Sequence, residues 1–159
     1  MASTENPPGK ISITKIASEQ NFSLAVAAGL AAAIGSALLW AMVAALTQMK
    51  LGLMAIAVGY LVAKAIRITG KGLEDKFRYW AVACALLGCA LGNFLSAVIF
   101  YAKANARPIS DVLANMDSDL ATRLMTANAG AMDLIFYGIA IFAAYRYSTQ
   151  YKIIKHAKP

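Results

Sequence analysis

A chain of 159 residues that is 60% hydrophobic and only 14% charged is too apolar for a water-soluble domain of its size, which buries only about two-thirds of its surface. Fifteen Lys and Arg against eight Asp and Glu leave a net charge of +7, but the basic residues flank apolar blocks and are not interleaved with exposed aromatics as a nucleic-acid surface requires, so no nucleic acid is expected as a partner. With one histidine, His156, a His-rich metal centre is not available from this chain alone, and no metal or cofactor is expected.

Residues 1–21 open with MASTENPPGK, whose paired prolines and polar neighbours predict a flexible cytoplasmic segment. Phe22 to Leu46 then runs 25 residues without a charge, too long for a cleavable signal core although Lys10 and Lys15 precede it, and predicts a retained first span over 22–47. A turn at Gln48 to Lys50 leads into a second apolar block, with a span over 51–68 and Lys64 and Arg67 near its end. Within RITGKGLEDKFR, residues 67–78, Gly70 and Gly72 predict helix termination and a short connection; a phosphate-binding loop is disfavoured because the Gly-x-x-x-x-Gly-Lys-Ser/Thr spacing is incomplete. Lys64, Arg67, Lys71, Lys76 and Arg78 form a basic patch suited to anionic headgroups or a cytoplasmic partner, diluted by Glu74 and Asp75.

The third span is expected over 79–102, with Tyr79 and Trp80 at one interface and Tyr101 at the other. Its stretch ALLGCALGNFLS, residues 85–96, contains a Gly88/Gly92 pair suited to close helix contact, with Cys89, Asn93 and Ser96 on an adjoining face; Gly29, Ala33 and Ser36 offer a similar surface on the first span. Cys84 and Cys89 are rotated about 140° apart on one helix, so they read as buried apolar side chains and not as a disulfide or metal pair. In the long connection, Ile109, Val112, Leu113, Met116, Leu120 and Leu124 share one helical face, predicting an amphipathic surface helix over about 109–125 on which Arg123 sits awkwardly.

The fourth span, 129–147, carries one carboxylate, Asp133, with Tyr137 one turn on, and a basic cytoplasmic tail, 148–159, follows. Intramembrane acids are expensive and suggest function. Asp133, however, lies only about one turn from the outer surface, where a hydrogen bond to Asn93, Tyr137, Lys103 or water accounts for it, and no second membrane acid is present to complete a proton relay. With both termini cytoplasmic, eleven of the fifteen basic residues fall on that side.

The segments MAIAVGYLVAKAIRITGKG (54–72), ALLGCALGNFLS (85–96) and DLIFYGIAIFAAYRYS (133–148) together resemble small, uncharacterised bacterial four-helix inner-membrane proteins. The resemblance implies a bacterial cytoplasmic-membrane location and carries no activity to any residue. The expected class is therefore an all-α polytopic membrane protein with four spans and a surface helix, acting without catalysis as an accessory or scaffold that associates with itself or a larger membrane complex. The alternative is a small oligomeric transporter or channel for a proton, cation or small solute, with Asn93, Ser96, Asp133 and Tyr137 facing water. No enzyme is expected, because no nucleophile, base and orienting group converge.

Overall fold

The computed structural model describes residues 20–49, 52–72, 74–128 and 130–149, without the side chains of 127 and 128. Most of the expected N-terminal segment and basic tail, with Lys50 and His156, lies outside these residues. The fold is all-α: α1 Phe22–Thr47, α2 Met54–Gly70, α3 Asp75–Ala104, α4 Ile109–Ala114, α5 Ser118–Asn128 and α6 Ala131–Tyr147.

Each helix boundary has a local cause. Asn21 caps α1, its side-chain oxygen accepting the Leu24 N–H at 2.9 Å, while its own N–H donates to the Gly70 carbonyl at 3.1 Å and ties the start of α1 to the end of α2. Gln48, at φ 58°, closes α1 by donating its backbone N–H to Ala44. Lys71, at φ 46°, ends α2, and the TGKG turn then wraps the ring of Phe77: a Cβ on Gly70 would stand 2.8 Å from that ring, and one on Gly72 closer still. The glycine pair therefore serves a turn over a wholly buried aromatic side chain.

Four helices form the body. α1 lies on α2 and α3, α6 lies on the other side of the same two, and α2 also touches α3. The contacts fix the directions. Gly88 meets Ala33 and Gly92 meets Trp40, so α1 and α3 run parallel; Gly52 meets Phe136 and Gly59 meets Ala140, so α2 and α6 run parallel to each other and opposite to the first pair. One end of this body carries the start of α1 and the end of α6, here the terminal end; the other is the loop end.

The interior is built from small side chains. Ala25, Ala33, Ala44, Ala55, Ala81, Ala85, Ala140 and Ala144 are buried, while Leu46 is 78% and Leu134 74% exposed, and Ile34, Leu38, Met42, Ile135 and Phe142 also face outward. Small residues inside and large apolar residues outside reverse the usual soluble arrangement. α1 and α3 are long and apolar enough to cross a membrane, and α5 with α6 counts as a third such span only as a pair bent by 86°. α2 and α6, at 17 residues each, fall short of that length.

α2 runs on to Gly70, past the end of the apolar span expected over about 51–68, and α3 begins at Asp75, before the one expected over 79–102; Asp75 and Lys76 form an exposed charged first turn, while Arg78 is half-buried. One expectation is revised. The single surface helix over 109–125 is two helices. Asn115 ends α4 by donating its side-chain amide to the Asp111 carbonyl at 2.9 Å, and Asp117 starts α5 by accepting the Leu120 N–H at 2.6 Å. Val112 and Leu124 are buried with Ala97, Val98 and Ala102 of α3, with Met116 and Leu120 partly buried beside them, so the pair folds onto the end of α3; Ile109 and Leu113 remain exposed. Arg123 leaves the apolar arc altogether and pairs with Asp119 at 2.8 Å.

The tightest backbone approach is between α2 and α6, where a Cβ on Gly59 would lie 2.5 Å from the Ala140 carbonyl oxygen. Gly59→Ala should therefore destabilise the protein by about 1–3 kcal/mol through overpacking. Gly35→Ala, which meets open space, should cost nothing and gain up to about 1 kcal/mol of helix propensity. Reversible unfolding in detergent micelles, comparing the two variants, measures the difference.

Candidate functional site

The polar residues of the body gather in two places. The first is a bridge in the loop-end half between α3 and α6. Tyr137 donates its hydroxyl to the Cys89 carbonyl at 3.4 Å and shares a side-chain hydrogen bond with Asn93. Asp133 stands one turn earlier on the same face of α6. Its Oδ2 accepts the Gly130 N–H at 2.9 Å and its own N–H donates to the Gly130 carbonyl at 3.0 Å. Asp133 is thus a residue of the first helical turn that satisfies an otherwise unpaired donor, where the helix dipole also favours a negative charge. Its other oxygen lies against the α1–α2 connection, 2.9 Å from where a Cβ on Gly52 would sit.

The remaining polar candidates in the apolar region are held within their own helices. Ser96 Oγ donates to the Gly92 carbonyl at 2.7 Å, and Ser36 Oγ to the Ala32 carbonyl at 2.6 Å, the usual way a hydroxyl is satisfied away from water. Both are buried and line no aqueous surface. Gly29, Ala33, Gly88 and Gly92 all pack inside the chain: a Cβ on Gly29 would be 2.9 Å from Ile66 and 3.0 Å from Cys84, and one on Gly92 2.8 Å from Trp40. Both cysteines are free and buried, and Cys89 Sγ lies 3.8 Å from the Ala55 carbonyl oxygen. Lys103 reaches back across α1 to donate to the Ala45 carbonyl at 2.9 Å.

The second place is the terminal end, where the five basic residues read as one patch are divided by their partners. Arg78 clamps α3 to α6: it pairs with Asp75 at 3.0 Å, donates to Thr149 Oγ1 at 3.3 Å and to the Tyr145 hydroxyl at 3.4 Å, and lies over the Tyr145 ring. Lys76 pairs with Glu74 at 2.9 Å and lies over the rings of Phe22 and Phe77. Lys71 sits in the turn with a partner of its own. Lys64, on the outer side of α2, lies over the Tyr60 ring at 5.8 Å, and that ring meets Tyr147 of α6 edge to face at 5.9 Å. Tyr60 is exposed at this seam.

Among the described residues no cluster of three or more His, Cys, Asp or Glu side chains is placed to hold a metal. No contact that was legible from spacing alone joins α2 to α6. Asn21 and Asp117, the caps that sequence reasoning passed over, were signalled by a short polar side chain three residues before an apolar helical position. Comparison with protein-family models, curated proteins and solved structures gives no match.

Asp133→Ala should lower stability by about 0.5–2 kcal/mol by removing the cap, while Asp133→Asn, which keeps an acceptor oxygen, should recover most of that loss. Chemical unfolding of the two variants in one detergent gives the comparison. Arg78→Ala should loosen the last turn of α6 without unfolding the body; amide exchange faster than wild type at residues 143–149, with the centre of α3 unchanged, is the expected pattern.

Proposed function

We propose that the chain is a four-span integral membrane protein of the bacterial cytoplasmic membrane, with both ends cytoplasmic, that works without catalysis as an accessory or scaffold subunit in a larger membrane assembly. α1 and α3 supply two full-length spans; α2 and α6 complete the crossing with help from flanking basic and tyrosine side chains, and α4 and α5 cap the outer end. Support for the membrane setting comes from the distribution of side-chain sizes, with alanine making up much of the interior and most leucines, with Ile34, Ile135 and Phe142, facing outward.

One observation carries the accessory reading: apart from the buried Trp80 indole N–H near the start of α3, the polar side chains inside the body are taken up by contacts within it. Ser36 and Ser96 bond their own helices, Tyr137 bonds Cys89 and Asn93, and Asp133 caps α6. A transport path would need such groups turned toward water. What the body offers outward is apolar, and the two glycines with nothing within 4 Å of an added Cβ, Gly35 and Gly138, lie on α1 and α6, the two helices that do not pack on each other in the body.

Gentle extraction followed by native mass spectrometry tests the reading. The expected result is co-purification with other membrane subunits at fixed stoichiometry, reduced at least tenfold by Gly138→Leu or Gly35→Leu and unchanged by Asp133→Asn. That loss corresponds to about 1.4 kcal/mol of association energy. A homogeneous ring of this chain alone, conducting ions in a manner abolished by Asp133→Asn, would overturn it in favour of the channel.

A further inference from the structure

Of the five basic residues that α2, the turn after it and α3 carry near the terminal end, three are engaged and two are differently placed. Lys76 and Arg78 have carboxylate partners, and Lys71 has a partner in the turn. Neither Lys64 nor Arg67 forms an ion pair among the described residues. They stand three residues apart on α2, within one turn of one another, six and three residues before its last residue, Gly70.

The surroundings of Lys64 select the kind of anion. Leu61, one turn before it, and Ile68, one turn after it, are both exposed, so the charge sits within an apolar outer face and not on a polar surface. Six residues of helix place its Cα about 9 Å short of the end of α2, a depth from which a long basic side chain rises toward the polar layer. Tyr60 and Tyr147 meet beside it, presenting two phenol groups from two helices at the same seam. Arg146 adds positive charge in the last turn of α6. A soluble phosphate would gain nothing from Leu61 and Ile68, and an acidic protein segment would have to bury its backbone against them. An amphiphile satisfies both halves.

We infer that the α2–α6 seam at the terminal end is a binding site for an anionic phospholipid, whose phosphate is held by Lys64 and Arg67 with the tyrosine hydroxyls of Tyr60 and Tyr147 as further donors, and whose acyl chains lie along Leu61 and the outer face of α2. The inference rests on the membrane setting proposed above. It is independent of the accessory role.

The test uses the full chain in lipid nanodiscs made of phosphatidylcholine, with and without phosphatidylglycerol, and native mass spectrometry to read which lipid stays bound on release. The wild type should retain phosphatidylglycerol in preference to phosphatidylcholine. Lys64→Gln should reduce that preference roughly fivefold, as expected for one basic residue near a membrane surface, and Tyr147→Phe, which keeps the ring, should reduce it less. Lys76→Gln, removing a cation already paired to Glu74, should leave it unchanged. Arg67→Gln should act like Lys64→Gln, and should it prevent folding, Lys64→Gln and Tyr147→Phe still decide the matter.

Equal retention of the two lipids by wild type would overturn the site, as would an effect of Lys76→Gln as large as that of Lys64→Gln, which would reduce the preference to net charge. Displacement of bound phosphatidylglycerol by inorganic phosphate at low millimolar concentration would replace the lipid site by a simple anion site. Failure of the wild type to enter even the neutral discs would instead count against the membrane setting.

Discussion

The fold depends on how closely the helix backbones approach. Where α2 crosses α6, Gly59 leaves no room for even a methyl group before the Ala140 carbonyl, and Gly88 and Gly92 bring α3 against Ala33 and Trp40 of α1. Such contacts give dispersion attraction over a long seam without large side chains to interlock. They also set what happens elsewhere: with much of the interior taken by alanine and glycine, and only a few large side chains such as Ile66 and Phe77 held within it, most of the leucines face outward and the outer surface becomes apolar.

The same constraint governs the polar groups. Among closely packed alanines and glycines the buried hydroxyls turn to backbone carbonyls. Ser36 and Ser96 take the carbonyls of residues Ala32 and Gly92, one turn earlier, and Tyr137 bridges to Cys89 and Asn93. Charge is then confined to the two ends. Asp133 belongs to this pattern: it is a first-turn cap whose energetic role is to pair the Gly130 N–H, which explains its position without invoking a transported ion.

Much of this was legible from the order of residues. The charge-free block from Phe22 coincides with α1, because a long apolar run leaves little choice. The third block marked only what is apolar, and helix α3 runs past it at both ends because an acidic Asp75 suits the first turn, a basic Lys103 suits the last, and lysine is itself a good helix former. The surface helix was misread for a related reason: its hydrophobic period continues in phase from Val112 through Met116 to Leu120 and Leu124, while Asn115 and Asp117 between them end one helix and cap the next. Periodicity reports a face; it does not report whether the backbone is continuous. Pairings across long separations, such as Tyr60 with Tyr147 or Arg78 with Thr149, leave no local trace, and for that reason five basic residues looked like one patch.

The arrangement of long and short helices has a further consequence in a bilayer. α1 and α3, of 26 and 30 residues, measure about 39 and 45 Å along their axes, whereas α2 and α6, of 17 residues each, measure about 26 Å against a hydrocarbon core of about 30 Å. Because the long helices pack as one parallel pair and the short ones as another, the mismatch is not averaged around the body but confined to one side. In the membrane setting proposed above, the bilayer would thin beside α2 and α6, while α1 and α3 would tilt or locally thicken it, at a modest cost per ångström. Lys64, Tyr60 and Tyr147 stand on the thin side, where shortened spans leave headgroups nearest to the helix faces. In that setting the shortness of α2 and α6 would also bring headgroup phosphate toward Lys64, which lies well before the end of α2.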